Sequence, residues 1–195
     1  MKISPVLLKD FYKVGHPYQY PNGTTLVFSN FTPRKSRNPD MKLSVFFGLS
    51  YFIKEYLVNQ FDQWFKEPFD ISSYQQFMQA HLGGDASYEH IKQLHELGYL
   101  PIEIYALPER SLVPENVPAL VIFNTHPNFY WLPNMLETLM SCVLWGPCTS
   151  ATTAYYYRML LDLYAYITSD MPEFVNWQAH DFSFRGMYGL EATLL

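Results

Sequence analysis

Apolar and polar positions change rhythm several times along the chain. Thr24 to Phe31 sets Leu26, Phe28 and Asn30 against Thr25, Val27, Ser29 and Phe31. This period of two, rich in β-formers and preceded by the turn signal Pro21-Asn22-Gly23, predicts a strand. Before it, Lys9 to Pro21 reads as loop or a single helical turn. After it, Thr32 to Asp40 holds three cations and two prolines and reads as an exposed basic loop. From Ser44 to about Phe65 the spacing of Phe47, Ser50, Ile53 or Lys54, and Leu57 or Val58 predicts a helix. Asp70 or Ser72 can cap a second helix ending near Gly83-Gly84, and Asp85 or Ser87 a third ending at Gly98.

The middle of the chain turns to short β-type runs. Ile102 to Ala106 lies between Pro101 and Pro108, and Ala119 to Phe123 follows Pro118. Helical spacing returns from Trp131 to Trp145 and again from Thr149 to Ile167. Phe174 to Ala179 predicts a strand, and the residues around Leu190 predict a short helix. The order of elements implies a mixed α/β or α+β fold rather than a regular βαβ repeat.

Composition narrows the class. The 195 residues are 49% hydrophobic, 18% aromatic and only 16% charged, which excludes a disordered chain. A net charge of −5 supplies no global field for nucleic acid or an anionic membrane, so neither is expected as a partner. No apolar run approaches the ~18 residues of a transmembrane helix. Val6 to Leu8 is cut short by Lys9 and Asp10, which is unlike a secretory leader. Cys142 and Cys148 form no C-x-x-C and are expected to be buried free thiols in a cytoplasmic protein.

Several familiar devices are missing: no G-x-G-x-x-G, no phosphate-binding P-loop, no H-E-x-x-H and no G-x-S-x-G. Three segments carry candidate chemistry instead. Asp10 to His16 gathers an acid, aromatics, a cation and an imidazole in an irregular stretch; it reads as a functional loop or as an arm that only packs an aromatic. Arg34-Lys35-Ser36-Arg37 reads as a phosphate holder or as a solvated loop. His180 to Gly186 presents Asp181, Phe182 and Arg185, a receptor for a flat ring beside a phosphate or an ordinary turn with a core Phe.

Taken in order, the chain resembles the nicotinamide phosphoribosyltransferase family. D-x-Y-K-V-x-H at Asp10 to His16 is followed by Gln19-Tyr20-Pro21, by Phe31 and Arg34, and by F-x-G-L at Phe46 to Leu49. L-P-I-E-I occupies Leu100 to Ile104, with Pro108-Glu109 after it. Then come N-T-x-P at Asn124 to Pro127, Tyr130-Trp131-Leu132, Glu137-Thr138, P-x-T-x-A-T at Pro147 to Thr152, and H-D-F-x-[YF]-R-G at His180 to Gly186.

The resemblance implies a reaction that joins nicotinamide to 5-phosphoribosyl pyrophosphate, giving nicotinamide mononucleotide and pyrophosphate for NAD salvage. It implies an N-terminal, β-rich domain with helical insertions over 1–148. Residues 149–195 would supply a connecting helix and the first strand of a type II phosphoribosyltransferase α/β barrel, whose remainder would follow Leu195. The implied enzyme is a homodimer with a site shared between subunits. Phe182 and Tyr12 are the implied ring clamp, Arg185 and Arg34 the phosphate contacts, Lys13 a further substrate-binding residue, and Arg185 with Asp181 the catalytic candidates. His16 and His180 are implied to hold loop conformations. Mg²⁺ is expected to accompany phosphoribosyl pyrophosphate with no protein ligand in this chain, and ATP coupling is a property of the full-length family.

The isolated chain is expected to be inactive. Other readings are a non-catalytic dimerisation or binding module, a subunit of a split enzyme completed by a separate C-terminal barrel chain, and a nicotinate phosphoribosyltransferase. The related nicotinate enzymes usually carry E-F-G-x-R-R at the strand end, where this chain has H-D-F-S-F-R-G.

Overall fold

In the computed structural model the chain runs β1 (Phe28–Phe31), β2 (Leu43–Val45), α1 (Leu49–Phe52), a π-helical stretch (Ile53–Gln60) and α2 (Phe61–Lys66). It continues through α3 (Ser72–Leu82), α4 (Glu89–Leu97), β3 (Ile102–Ala106), β4 (Leu112–Pro114) and β5 (Leu120–Asn124), then α5 (Leu132–Thr168) and α6 (Leu190–Leu194). The structure describes residues 3–82 and 87–195, so the expected helix end at Gly83-Gly84 and the Asp85 cap lie outside the described residues. Helix takes a larger share than strand. The β-rich character expected of residues 1–148 reduces to two small sheets.

The chain divides into two compact units. One comprises Met1–Asn30, Leu49–Tyr105 and Leu120–Ser141; the other comprises Phe31–Gly48, Ala106–Ala119 and Cys142–Leu195.

In the first unit the sheet order is β1-β5-β3. Leu120, Ile122 and Asn124 of β5 point inward at period two. Asn124 explains why the predicted strand Thr24 to Phe31 is paired only from Phe28. Its Oδ1 accepts from Val27 N at 2.8 Å and its Nδ2 donates to the Thr25 carbonyl at 2.9 Å. The side chain thus takes up backbone groups that a ladder would otherwise pair.

The helix predicted from Ser44 begins only at Leu49, because Leu43 to Val45 are in β2. Its buried positions Phe52, Leu57, Phe61 and Trp64 include a step of five. A regular α-helix would rotate that step off the face, and the wider π turns bring it back. Asp70 is the cap of α3, accepting from Ser72 N at 2.8 Å, and that bond holds its carboxyl below the usual range. α4 ends as predicted at Gly98, in the left-handed conformation (φ 77°), with its amide bonded to the Leu94 and His95 carbonyls.

In the second unit β2 pairs antiparallel with β4, setting Ser44 opposite Val113. The other edge of β2 is covered by α5. Leu43 N donates to Tyr156 Oη (3.2 Å), Val45 N to Thr152 Oγ1 (2.8 Å) and Phe47 N to Cys148 Sγ (3.4 Å). Alternate amides on the strand meet side chains four apart on the helix, so the two periods interlock and no bare edge remains there.

The two helices predicted at Trp131 to Trp145 and Thr149 to Ile167 are one continuous α5 that passes through Pro147. Pro147 leaves only the Val143 carbonyl without its helical partner, and the turns on either side persist. The strand predicted at Phe174 to Ala179, read as the first strand of a barrel, is instead a 3₁₀ turn over Pro172–Trp177. No neighbouring strand pairs with it among the described residues, so its backbone groups bond locally.

Gly48 joins β2 to α1 at φ +99°, and a Cβ placed there would sit 3.1 Å from Pro147 Cβ. Gly48→Ala is expected to lower the urea-unfolding free energy by about 1–3 kcal/mol, the usual range for a strained left-handed position. An unchanged midpoint would contradict this packing.

Candidate functional site

The Asp10 to His16 segment folds as a 3₁₀ turn over Phe11–Val14, and the first turns of α5 hold it in place. Three residues spaced at i, i+3 and i+4 on α5 receive it. Asn134 accepts from Lys13 Nζ through its carbonyl at 2.6 Å and meets His16 Nδ1 through Oδ1 at 2.5 Å. Glu137 pairs with the Lys13 ammonium. Thr138 Oγ1 donates to Asp10 Oδ2 at 2.9 Å. Lys13 is buried, and its cation is satisfied inside the unit. Tyr12 between these anchors is 60% exposed. Its ring rests edge-on against His16, with centroids 5.0 Å apart. The residues that hold the arm therefore leave one aromatic face to solvent.

The basic loop after β1 leaves Arg34 exposed. The loop is tied at Ser36, whose amide donates to Glu115 Oε1 at 2.7 Å. That amide is already occupied by a carboxylate, so a phosphate bound by this loop would rely on the cationic side chains.

In the second unit, residues His180 to Gly186 form a turn with a 3₁₀ segment at Ser183–Gly186. Asp181 accepts from Ser183 N at 2.7 Å, and bonds from the Ser183 hydroxyl and amide hold its carboxyl below the usual range. This is an Asx-type turn, and it sets the backbone around Phe182. Phe182 is 80% exposed, with the His180 ring 6.2 Å away, and Arg185 is exposed on the same turn. Phe182, Asp181 and Arg185 are thus together, as are Tyr12 and Lys13 in the first unit.

The expectation of two buried thiols is corrected at both positions. Cys148 is half-buried, and burial pushes its thiol up; Cys142 is exposed. Among the described residues no group of three or more His, Cys, Asp or Glu could hold a metal ion. No helix among them is long and apolar enough to cross a membrane.

Sequence reasoning missed the receiving face of α5. Glu137-Thr138 was visible as a motif without a role, and Asn134 carried no signal except its helical spacing from them. Asn124 was likewise a motif residue whose work, bonding the backbone before β1, depends on the fold.

The family model described as "Nicotinamide phosphoribosyltransferase, N-terminal domain" matches residues 4–104. The chain is 45% identical to the nicotinamide phosphoribosyltransferase of Acinetobacter baylyi over 97% of its own length and 39% of that protein. It is 32% identical to the enzyme of the same name from Xanthomonas campestris pv. campestris, with the same coverage. Among solved structures it resembles human nicotinic acid phosphoribosyltransferase, with a TM-score of 0.58 and 22% identity, covering 80% of this chain and 29% of that one; this likeness speaks to the fold. The chain spans about two fifths of the length of these curated relatives. The family model covers more than half of the chain, and the chain belongs to the nicotinamide phosphoribosyltransferase family.

Proposed function

We propose that this chain is the N-terminal part of an enzyme that joins nicotinamide to 5-phosphoribosyl pyrophosphate. The ring nitrogen's lone pair forms the new bond to the anomeric carbon, and pyrophosphate leaves with the electrons of the broken C–O bond. The observation that carries this reading is the pair of exposed aromatic rings, Tyr12 and Phe182, each held on a turn fixed by its own hydrogen bonds. A flat, neutral pyridine is bound well by stacking on such rings. Arg185 and Arg34 would meet phosphate oxygens and balance charge that develops on the leaving pyrophosphate. Asp181 would position Phe182 through the Ser183 bond, and Lys13 would position Tyr12. Magnesium would enter on the sugar donor's own oxygens. Relatives more than twice as long support further chain completing the phosphate site, and a homodimer is part of the same reading.

The test uses the gene product at the length its source makes it, assayed for pyridine ribonucleotide with nicotinamide and with nicotinate. Nicotinamide is expected to be the faster substrate. Phe182→Ala is expected to cut kcat/KM by about 2- to 12-fold, the scale of one lost aromatic stack, without shifting Tm, because the ring is exposed. No nucleotide product would overturn the reading, nicotinamide binding without turnover would favour a binding module, and faster use of nicotinate would reassign the substrate.

A further inference from the structure

Among the described residues, three buried side-chain polar atoms lack a hydrogen-bond partner: Tyr74 Oη, His90 Nε2 and Trp131 Nε1. All three belong to the first unit. The His90 ring stands edge-on to the Trp131 indole with centroids 4.8 Å apart, and Tyr18 packs on His90 at 6.2 Å. Lys9 Nζ lies 5.5 Å from the centre of the Tyr74 ring. Its charge reaches His90, and burial alone lowers its own pKa to about 8. No carboxylate among the described residues pairs with it.

The chemistry of this cluster is one-sided. An ammonium, a phenol and an indole N–H all donate, and a neutral imidazole can donate through Nε2. Buried polar groups are normally satisfied, and a buried cation normally has a counter-charge. A guest that answers all of them accepts hydrogen bonds, carries negative charge and is small enough to lie among closely packed rings. Water would satisfy the donors and leave the charge unbalanced. We propose that Lys9, Tyr74, His90 and Trp131 enclose a site for a monatomic anion of chloride size. Lys9 directly precedes Asp10, so an occupied site would fasten the root of the aromatic arm to α3 and α4.

The full chain is titrated with chloride against gluconate at constant ionic strength while Tm is followed, beside Lys9→Met. A saturable rise of about 5 °C is expected for the parent protein. The variant, which loses a half-buried charge and keeps the bulk of the side chain, is expected to fold at least as well in gluconate and to ignore chloride. Crystals soaked in bromide are expected to show an anomalous peak within hydrogen-bond reach of Trp131 Nε1. A linear response shared by both proteins overturns the proposal, as does a water bridging the orphaned atoms in bromide.

Discussion

Glu137→Gln is expected to destabilise the protein by about 3 kcal/mol, the low end of the range for breaking a buried ion pair from one side. The partners are unequal: the Lys13 side chain is 1% exposed and the Glu137 side chain 42%. Removing the carboxylate strands an ammonium that cannot reach water and keeps only the Asn134 carbonyl as a strong acceptor. Removing the ammonium strands a carboxylate that water already solvates. Lys13→Met is therefore expected to cost less than half as much. Urea unfolding of the two variants checks the asymmetry, and equal losses would contradict the burial described. Glu137→Gln should also loosen the arm, visible as faster proteolysis near Tyr12.

Acidification from pH 6.5 to about 4 is expected to remove about 3 kcal/mol of stability through His90 alone. Burial first, and the Lys9 charge second, push its imidazole from 6.5 down to about 4. Between those values the unfolded chain binds a proton that the folded protein refuses, so stability falls with pH and levels off below 4. The size follows from about 1.4 kcal/mol per pKa unit. The carboxyls of Asp70 and Asp181, also depressed, begin to lose their contribution only near the acid end of this window and lose most of it below 3.8, and both are common to parent and variant. The measurement compares parent and His90→Gln by urea unfolding across this range in halide-free buffer. The variant's curve should be flatter by that amount, and parallel curves would show that His90 is not buried as described.

What the sequence made legible followed local rules. Gly98 ends α4 because only a left-handed residue closes that turn, and Asp70 starts α3 because its carboxylate sits two residues before an open amide. The two aromatic residues proposed to face substrate were visible as motif positions. Partnership across the chain was hidden. The Asn124 side chain replaces strand pairing at Thr25 and Val27, which no alternation of residues reveals. Val175 reads as part of a strand until the absence of a pairing neighbour makes it the buried point of a 3₁₀ turn. The receiving face of α5 needed both ends of its contacts to be known.

The bonds from Lys13, His16 and Asp10 to α5 join residues 118 to 128 positions apart. During synthesis the arm is made first and its receptor more than a hundred residues later. At about 5–20 residues per second, the Tyr12 loop spends many seconds with no surface to dock on. Its placement is therefore among the last events of assembly rather than a seed for it. Ordering of Tyr12 thus reports on whether the start of α5 has formed, and a fluorescent label beside this ring would time the maturation of the nascent chain.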